Sequence, residues 1–315
     1  MLNILLVLLF VSYGWTKECI NNTPVIGVLA QESGTTNKKY GASFIFADVV
    51  FFLQAAGAQV VPILINQNSS YYQEMFQSLN GVLFPGGDIE FEKSSYFFNA
   101  LYFMDKSKEI FDNSKEVFPI FGICMGFETI SYIMNGRQQV LTNTKGTMFY
   151  NIPVTFTEAA KTSTFFHNAS AAVLGQLERD TPPNLHDYSV LMSSYAKSPA
   201  LQKAMNVLAT SVDGGGNEFI AAFESKEQYP WFAVQFHPEM ASFEFKSDSQ
   251  MSFLNHSMET IKAMQYIANT WVDQSRKSCH KFPDHQSLHK HDINNYKLVY
   301  KNDLSVFVQS MYFFQ

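Results

Sequence analysis

The sequence predicts an α/β protein, with a mainly parallel sheet covered by helices on both faces. Short apolar runs of strand length alternate with longer segments of helical pattern through the first half of the chain. Two of those runs, and a third late in the chain, end in glycine- or proline-marked corners bearing polar or reactive residues, where the strands of a parallel sheet present their ligand-binding edge.

In order, "PVIGVLA" (24–30) is a predicted strand and "SFIFADVVFFLQAAG" (43–57) a predicted helix closed by Gly57. "AQVVPILI" (58–65) is a strand, "YYQEMFQSL" (71–79) a short helix, and "GVLF" (81–84) a strand leading into Pro85-Gly86-Gly87. Residues 95–112 have helical pattern, "VFPIFGI" (117–123) is a strand, and a helix runs from Cys124 to about Asn135. After residue 140 the pattern turns β-rich. "NVLATSV" and "EFIAAFES" flank "DGGGN" (213–217), a hairpin turn by composition that lacks the Lys-Ser/Thr and following helix of a phosphate loop. "WFAVQF" (231–236) is a further strand and 251–274 a final long helix. With no internal repeat or linker, a single domain over 19–280 is expected, preceded by a signal peptide (1–18) and followed by a tail (281–315).

Composition narrows the classes. Of 315 residues, 46% are hydrophobic and 16% charged, an ordinary globular balance. A net charge of −6 without any Lys/Arg run argues against nucleic-acid binding. The apolar run Leu2–Tyr13 is too short to span a bilayer but fits a signal-peptide core, with small residues Ser12 and Gly14 near the cleavage point. It lacks a basic n-region, and a buried first strand is the alternative. A mature protein with no membrane span, secreted or lysosomal, is the expectation. Sequons at Asn21, Asn68, Asn168 and Asn255 are glycosylation candidates, at a frequency near chance. Of three cysteines, Cys19 and Cys279 could pair in an oxidising compartment, leaving Cys124 free. "HKFPDHQSLHKHD" (280–292) puts His285 and His289 four apart, but its charged company favours a solvated stretch over a metal site. No metal is expected.

Chemistry concentrates at three strand ends. In "GICMG", Cys124 opens a helix, with Gly122 and Gly126 permitting a sharp turn, and the helix N-terminus favours thiolate. The Met125 N–H is then free to face an oxyanion. In "FPGGD" (84–88), Gly87 is the candidate second donor and Gly86 the fallback. In "VQFHPEM" (234–240), His237 is a base and Glu239 its orienting carboxylate, the two side chains sharing a face if the chain stays extended, with Pro238 barring a helix. Each motif alone has a bland reading, as core cysteine, common turn or structural histidine. Three together form a nucleophile, base and oxyanion constellation.

These motifs resemble the class I glutamine amidotransferase-like superfamily and, within it, the γ-glutamyl hydrolases (folylpolyglutamate hydrolases, conjugases). The similarity runs from about residue 24 to 275, through "YGASFIFADVVFFLQAAGAQVVP", "LNGVLFPGGD", "FPIFGICMGFE", "NLHDYSV", "NVLATSVDG" and "AVQFHPEM". The resemblance implies a three-layer α/β/α, flavodoxin-like domain that hydrolyses γ-glutamyl amide bonds in folylpoly-γ-glutamates. The amidotransferases carry Gln four residues after the nucleophile, whereas this chain has Glu128, as γ-glutamyl hydrolases do. Glu128 could orient the substrate α-amino group or make a structural ion pair. His186 in "NLHDYS" matches a family histidine with an implied substrate contact. No metal or organic cofactor is required, and a homodimer is left open.

The residues themselves suggest the mechanism. Cys124 attacks the γ-carbonyl, and His237 protonates the departing amine and then activates water against the thioester. A Cys124–His237 ion pair is expected to lower the thiol pKa and sustain activity at acidic pH. The competing readings are a glutaminase domain feeding a synthetase, or a secreted binding protein without activity.

Overall fold

The computed structural model describes residues 19–179, 181–245, 250–300 and 308–315; the expected signal peptide lies outside them. The first half alternates as expected: β1 (Val25–Leu29), β2 (Gln31–Glu32), β3 (Ser43–Phe46), α1 (Ala47–Ala55), β4 (Gln59–Ile63), α2 (Ser69–Ser78), β5 (Gly81–Phe84), α3 (Ser95–Ser114), β6 (Ile120–Ile123) and α4 (Met125–Met134). A β-rich middle follows with β7 (Leu141–Asn143), β8 (Met148–Asn151), β9 (Thr155–Phe156), α5 (Ala171–Leu177), β10 (Pro183–Leu185), β11 (Tyr188–Val190), α6 (Met192–Tyr195) and α7 (Pro199–Ala204). The chain closes with β12 (Met205–Val212), β13 (Glu218–Ser225), β14 (Trp231–Val234), α8 (Met240–Phe243), α9 (Met258–Ser275), α10 (His285–His291), β15 (Leu298–Tyr300) and β16 (Ser310–Phe314).

Eight strands form the central sheet in the order β4-β1-β5-β6-β14-β13-β12-β9. The pairs from β4 to β14 are parallel, and β14, β13, β12 and β9 pair antiparallel. Side chains alternate across the sheet, which splits the core in two. Ile26 and Val28 of β1 join Val49, Leu53, Leu177, Ile267 and Trp271 on the face covered by α1, α5 and α9. Val25 and Leu29 join Met75, Phe103, Phe127 and Leu201 on the face covered by α2, α3, α4 and α7. The result is the three-layer α/β/α arrangement. Register places the site: Phe84 pairs with Gly122 and Ile123 with Val234, so the chain leaves β5, β6 and β14 at one edge.

Several boundaries differ from expectation. Of the helix predicted over 43–57, the first four residues are strand β3, which pairs with β2 and with β16 from the far end of the chain. Local pattern carries no trace of a partner that distant. The predicted final helix begins at Met258 rather than 251, where Ser257 accepts from the Thr260 N–H as N-cap. Residues 281–315, expected as a tail, contribute α10 and the buried strand β16 of a second sheet ordered β15-β16-β3-β2. Within the His-rich stretch, His285–His291 form α10, which has no buried residue, and no group of three or more metal-ligating side chains occurs among the described residues.

Cys19 and Cys279 are disulfide-bonded, with Cα atoms 5.2 Å apart, and Cys124 is the buried free thiol. Asn68 and Asn168 are exposed, whereas Asn21 and Asn255 are half-buried and the Asn21 Nδ2 donates to Asn80 Oδ1 at 3.0 Å. Among the described residues no helix is long and apolar enough to cross a membrane.

Candidate active site

Cys124 occupies the corner between β6 and α4 with φ 53° and ψ −109°, a conformation non-glycine residues rarely adopt. The glycines around it have a steric task. A Cβ on Gly126 would lie 2.0 Å from the Phe84 carbonyl oxygen, and one on Gly122 2.7 Å from the Gly126 backbone. Helix α4 therefore packs directly on the ends of β5 and β6, and the tight corner projects the thiol at the sheet edge. The thiol donates to the Leu185 carbonyl at 3.7 Å, and Met125, first residue of α4, has no intrahelical acceptor for its N–H.

His237 leaves β14 after Gln235 and Phe236 and is buried, its own N–H held by Pro183 O at 2.8 Å. Its Nδ1 donates to Glu239 Oε1 at 2.6 Å, and the ring also interacts with the Cys124 thiol. The expected extended geometry does not persist. Glu239 is helical in φ and ψ and serves as N-cap of α8, so the chain turns at Pro238 and the turn brings the carboxylate back to the ring.

Gly86 joins the two halves. A Cβ there would lie 2.7 Å from His237 Cε1 and 3.3 Å from Cys124 Cβ, so this backbone is wedged against both side chains. A Cβ on Gly87 would meet Met125 Cε at 2.6 Å and Gln31 Oε1 at 2.1 Å. The Gly87 N–H has no acceptor among the described residues. The structure thus brings Cys124, His237, Glu239, Gly86, Gly87 and Met125 to one place.

Electrostatics depart from expectation at the thiol. Burial pushes Cys124 up, outweighing the pull of His237, and the carboxylates Glu128 and Glu239 push the same way. The expected lowering of the thiol pKa is absent in the resting site. For His237, burial opposes the charge, but Glu239 and then Cys124 outweigh it and hold the imidazole well above its usual value.

Glu128 and His186 are buried near the site but already partnered. Gln235 Nε2 donates to Glu128 Oε1 at 3.1 Å, and burial pushes that carboxyl up to about 8. Its partner is an amide, not the cation an ion pair would need. His186 has Nδ1 2.9 Å from Tyr188 O and Nε2 3.0 Å from Asn184 Oδ1, and burial lowers it to about 3. Its neighbour Leu185, through the main chain, is what meets the thiol.

Sequence reading missed three buried residues here. Gln31 Nε2 donates to Gly86 O at 2.8 Å, and the Tyr96 hydroxyl donates to Pro85 O at 2.9 Å. Asp48, in α1, is pushed up to about 7, by burial first and by Glu239 second. The signal available for Gln31 and Asp48 was a lone polar residue beside or within an apolar run.

The sequence profile of the family described as Peptidase C26 matches residues 24–239. A γ-glutamyl hydrolase of Mus musculus is 35% identical over 291 residues, covering 92% of this chain and 89% of its own length. γ-Glutamyl hydrolase B of Dictyostelium discoideum is 36% identical, covering 89% and 80%. Among solved structures, the glutaminase domain of Trypanosoma brucei CTPS with bound acivicin superposes with a TM-score of 0.51 at 14% identity, covering 83% of this chain and 97% of that one. That likeness bears on the fold, which is of the class I amidotransferase kind.

Proposed function

The chain belongs to the Peptidase C26 family, and from that premise we propose that it is a γ-glutamyl hydrolase whose nucleophile is Cys124 and whose substrates are folylpoly-γ-glutamates. The carrying observation is the strained Cys124 corner lying against the same Gly86 backbone as the Glu239-bound His237.

The geometry supports a two-step course. In the fraction of molecules whose His237 is neutral at Nε2, the Sγ proton passes to that nitrogen as sulfur bonds to the γ-carbonyl carbon, and the carbonyl oxygen takes negative charge opposite the Gly87 and Met125 N–H groups. As that oxyanion collapses, the C–N bond breaks and His237 gives its proton to the departing amine. Water then donates a proton to His237 and attacks the thioester, and the freed sulfur is reprotonated by His237. Glu239 keeps the ring in the tautomer that presents Nε2. Glu128, largely neutral at acidic pH, would hold the substrate's α-amino end by hydrogen bonding more than by charge. The apolar N-terminal run and the Cys19–Cys279 disulfide support secretion or a lysosomal destination.

The test is incubation of mature protein and its Cys124→Ala variant with pteroyl-penta-γ-glutamate at pH 5, with glutamine as parallel substrate. Shortened folates from the wild type alone are expected. Turnover by Cys124→Ala, or release of ammonia from glutamine in place of folate cleavage, would overturn the reading.

A further inference from the structure

Two side chains outside the proposed nucleophile, base and oxyanion donors grip successive carbonyls of the loop after β5. Tyr96, at the start of α3, is fully buried and donates to Pro85 O at 2.9 Å. Gln31, on β2, is likewise fully buried and donates to Gly86 O at 2.8 Å. No peptide bond among the described residues is cis, and in a trans peptide the C=O and the following N–H point to opposite edges. Fixing the Gly86 carbonyl therefore fixes the direction of the Gly87 N–H, and fixing the Pro85 carbonyl does the same for Gly86. Glycines have the widest intrinsic backbone freedom, so side-chain sterics of Gly86 and Gly87 themselves do not set the orientation of the peptide between them. Gln31 also rests against Gly87 itself, with its Oε1 otherwise unpartnered.

We infer that Gln31, aided by Tyr96, is a positioning residue that holds the Gly86–Gly87 peptide with its N–H aimed at the oxyanion formed on attack by Cys124. The inference rests on the function proposed above. Its energetic logic is preorganisation: a donor already aimed when charge develops costs no reorganisation during the reaction. Without the grip, the peptide samples both orientations and the donor is absent part of the time.

The test uses the full-length mature protein. Gln31→Met keeps the length of the side chain and removes the donor. It is expected to lower kcat by about 10- to 100-fold, part of the 10²–10³ that loss of one oxyanion donor costs. KM should stay within about 2-fold, because the substrate carbonyl carries little charge before attack. Alkylation of Cys124 by iodoacetamide, a displacement that forms no oxyanion, should remain within about 2-fold of wild type. Tyr96→Phe should show the same pattern in smaller degree. Gln31→Glu provides a conservative rescue. As a neutral acid it still donates to Gly86 O, and once ionised it repels that oxygen, so its activity should fall with rising pH faster than that of wild type. An unchanged kcat in Gln31→Met, or alkylation falling in step with kcat, would overturn the inference. So would a Gln31→Glu profile parallel to wild type, which also decides the matter should Gln31→Met not fold. A fully active Cys124→Ala would instead sink the parent reading.

Discussion

His237 Nδ1 lies 2.6 Å from Glu239 Oε1, with both side chains buried. Glu239 is the foremost group sustaining charge on His237 against burial. Glu239→Gln keeps the shape but can present its amide N–H to Nδ1, which favours the wrong tautomer. The expected outcome is a kcat lower by about 10²- to 10⁴-fold with the fold intact by circular dichroism. A loss under 10-fold would remove Glu239 from the proposed machinery.

Backbone strain at Cys124 makes a second prediction. Its positive φ costs about 1–3 kcal/mol for any residue with a Cβ. Alanine retains that cost, whereas glycine sheds it while gaining flexibility in the unfolded chain worth about 0.5–1 kcal/mol. Both variants should be inactive, and Cys124→Gly should melt at or above Cys124→Ala, the reverse of the usual order.

Gly126 predicts the opposite sensitivity. An added methyl would meet the Phe84 carbonyl at 2.0 Å, a rigid backbone atom that cannot swing aside. Gly126→Ala should cost about 3 kcal/mol or more in urea unfolding and separate α4 from β5. Gly175, whose Cβ would meet nothing, is the control, where Ala should be neutral or stabilising.

Four buried groups set how stability varies with pH. Between about pH 5 and 6, Asp48 (about 7), Glu128 (about 8) and the raised His237 hold three protons in the folded state, while His186 (about 3) holds none. Unfolded, the two histidines hold two protons and the carboxyls none. The difference, two minus three, is negative, so these groups make stability fall with rising pH by about 1.4 kcal/mol per unit. Asp48→Asn should flatten the slope. Asp48→Asn with Glu128→Gln should reverse it, leaving His186 to destabilise the acid side. Urea melts across that range check the sign.

The Cys19–Cys279 disulfide closes a loop of 260 residues in sequence separation. Cys19→Ser with Cys279→Ser should lose about 2–5 kcal/mol without loss of kcat, since neither residue was placed near Cys124.

The parallel half of the fold was legible because each strand there sits beside its own helix, and apolar runs such as Gly81–Phe84 and Ile120–Ile123 need no distant information to be read. Cys124, His237 and the paired glycines were legible because turn chemistry marks them. Gln31 and Asp48 were not, since a polar residue next to apolar ones carries no sign of what it faces across the fold. The same held for Ser43–Phe46, read as helix until its partner at Met311–Phe314 is known. Glu239 was found for a reason the structure replaces, a turn rather than an extended segment.

The pairing of residue 46 with residue 311 also has a temporal side. Contacts so far apart in sequence are entropically slow to close and form after local ones. β16 borders β3, β3 borders β2, and β2 carries Gln31. During refolding the helices and the parallel strands would regain their signal first, and turnover would return only when this late sheet closes and braces the glycine loop.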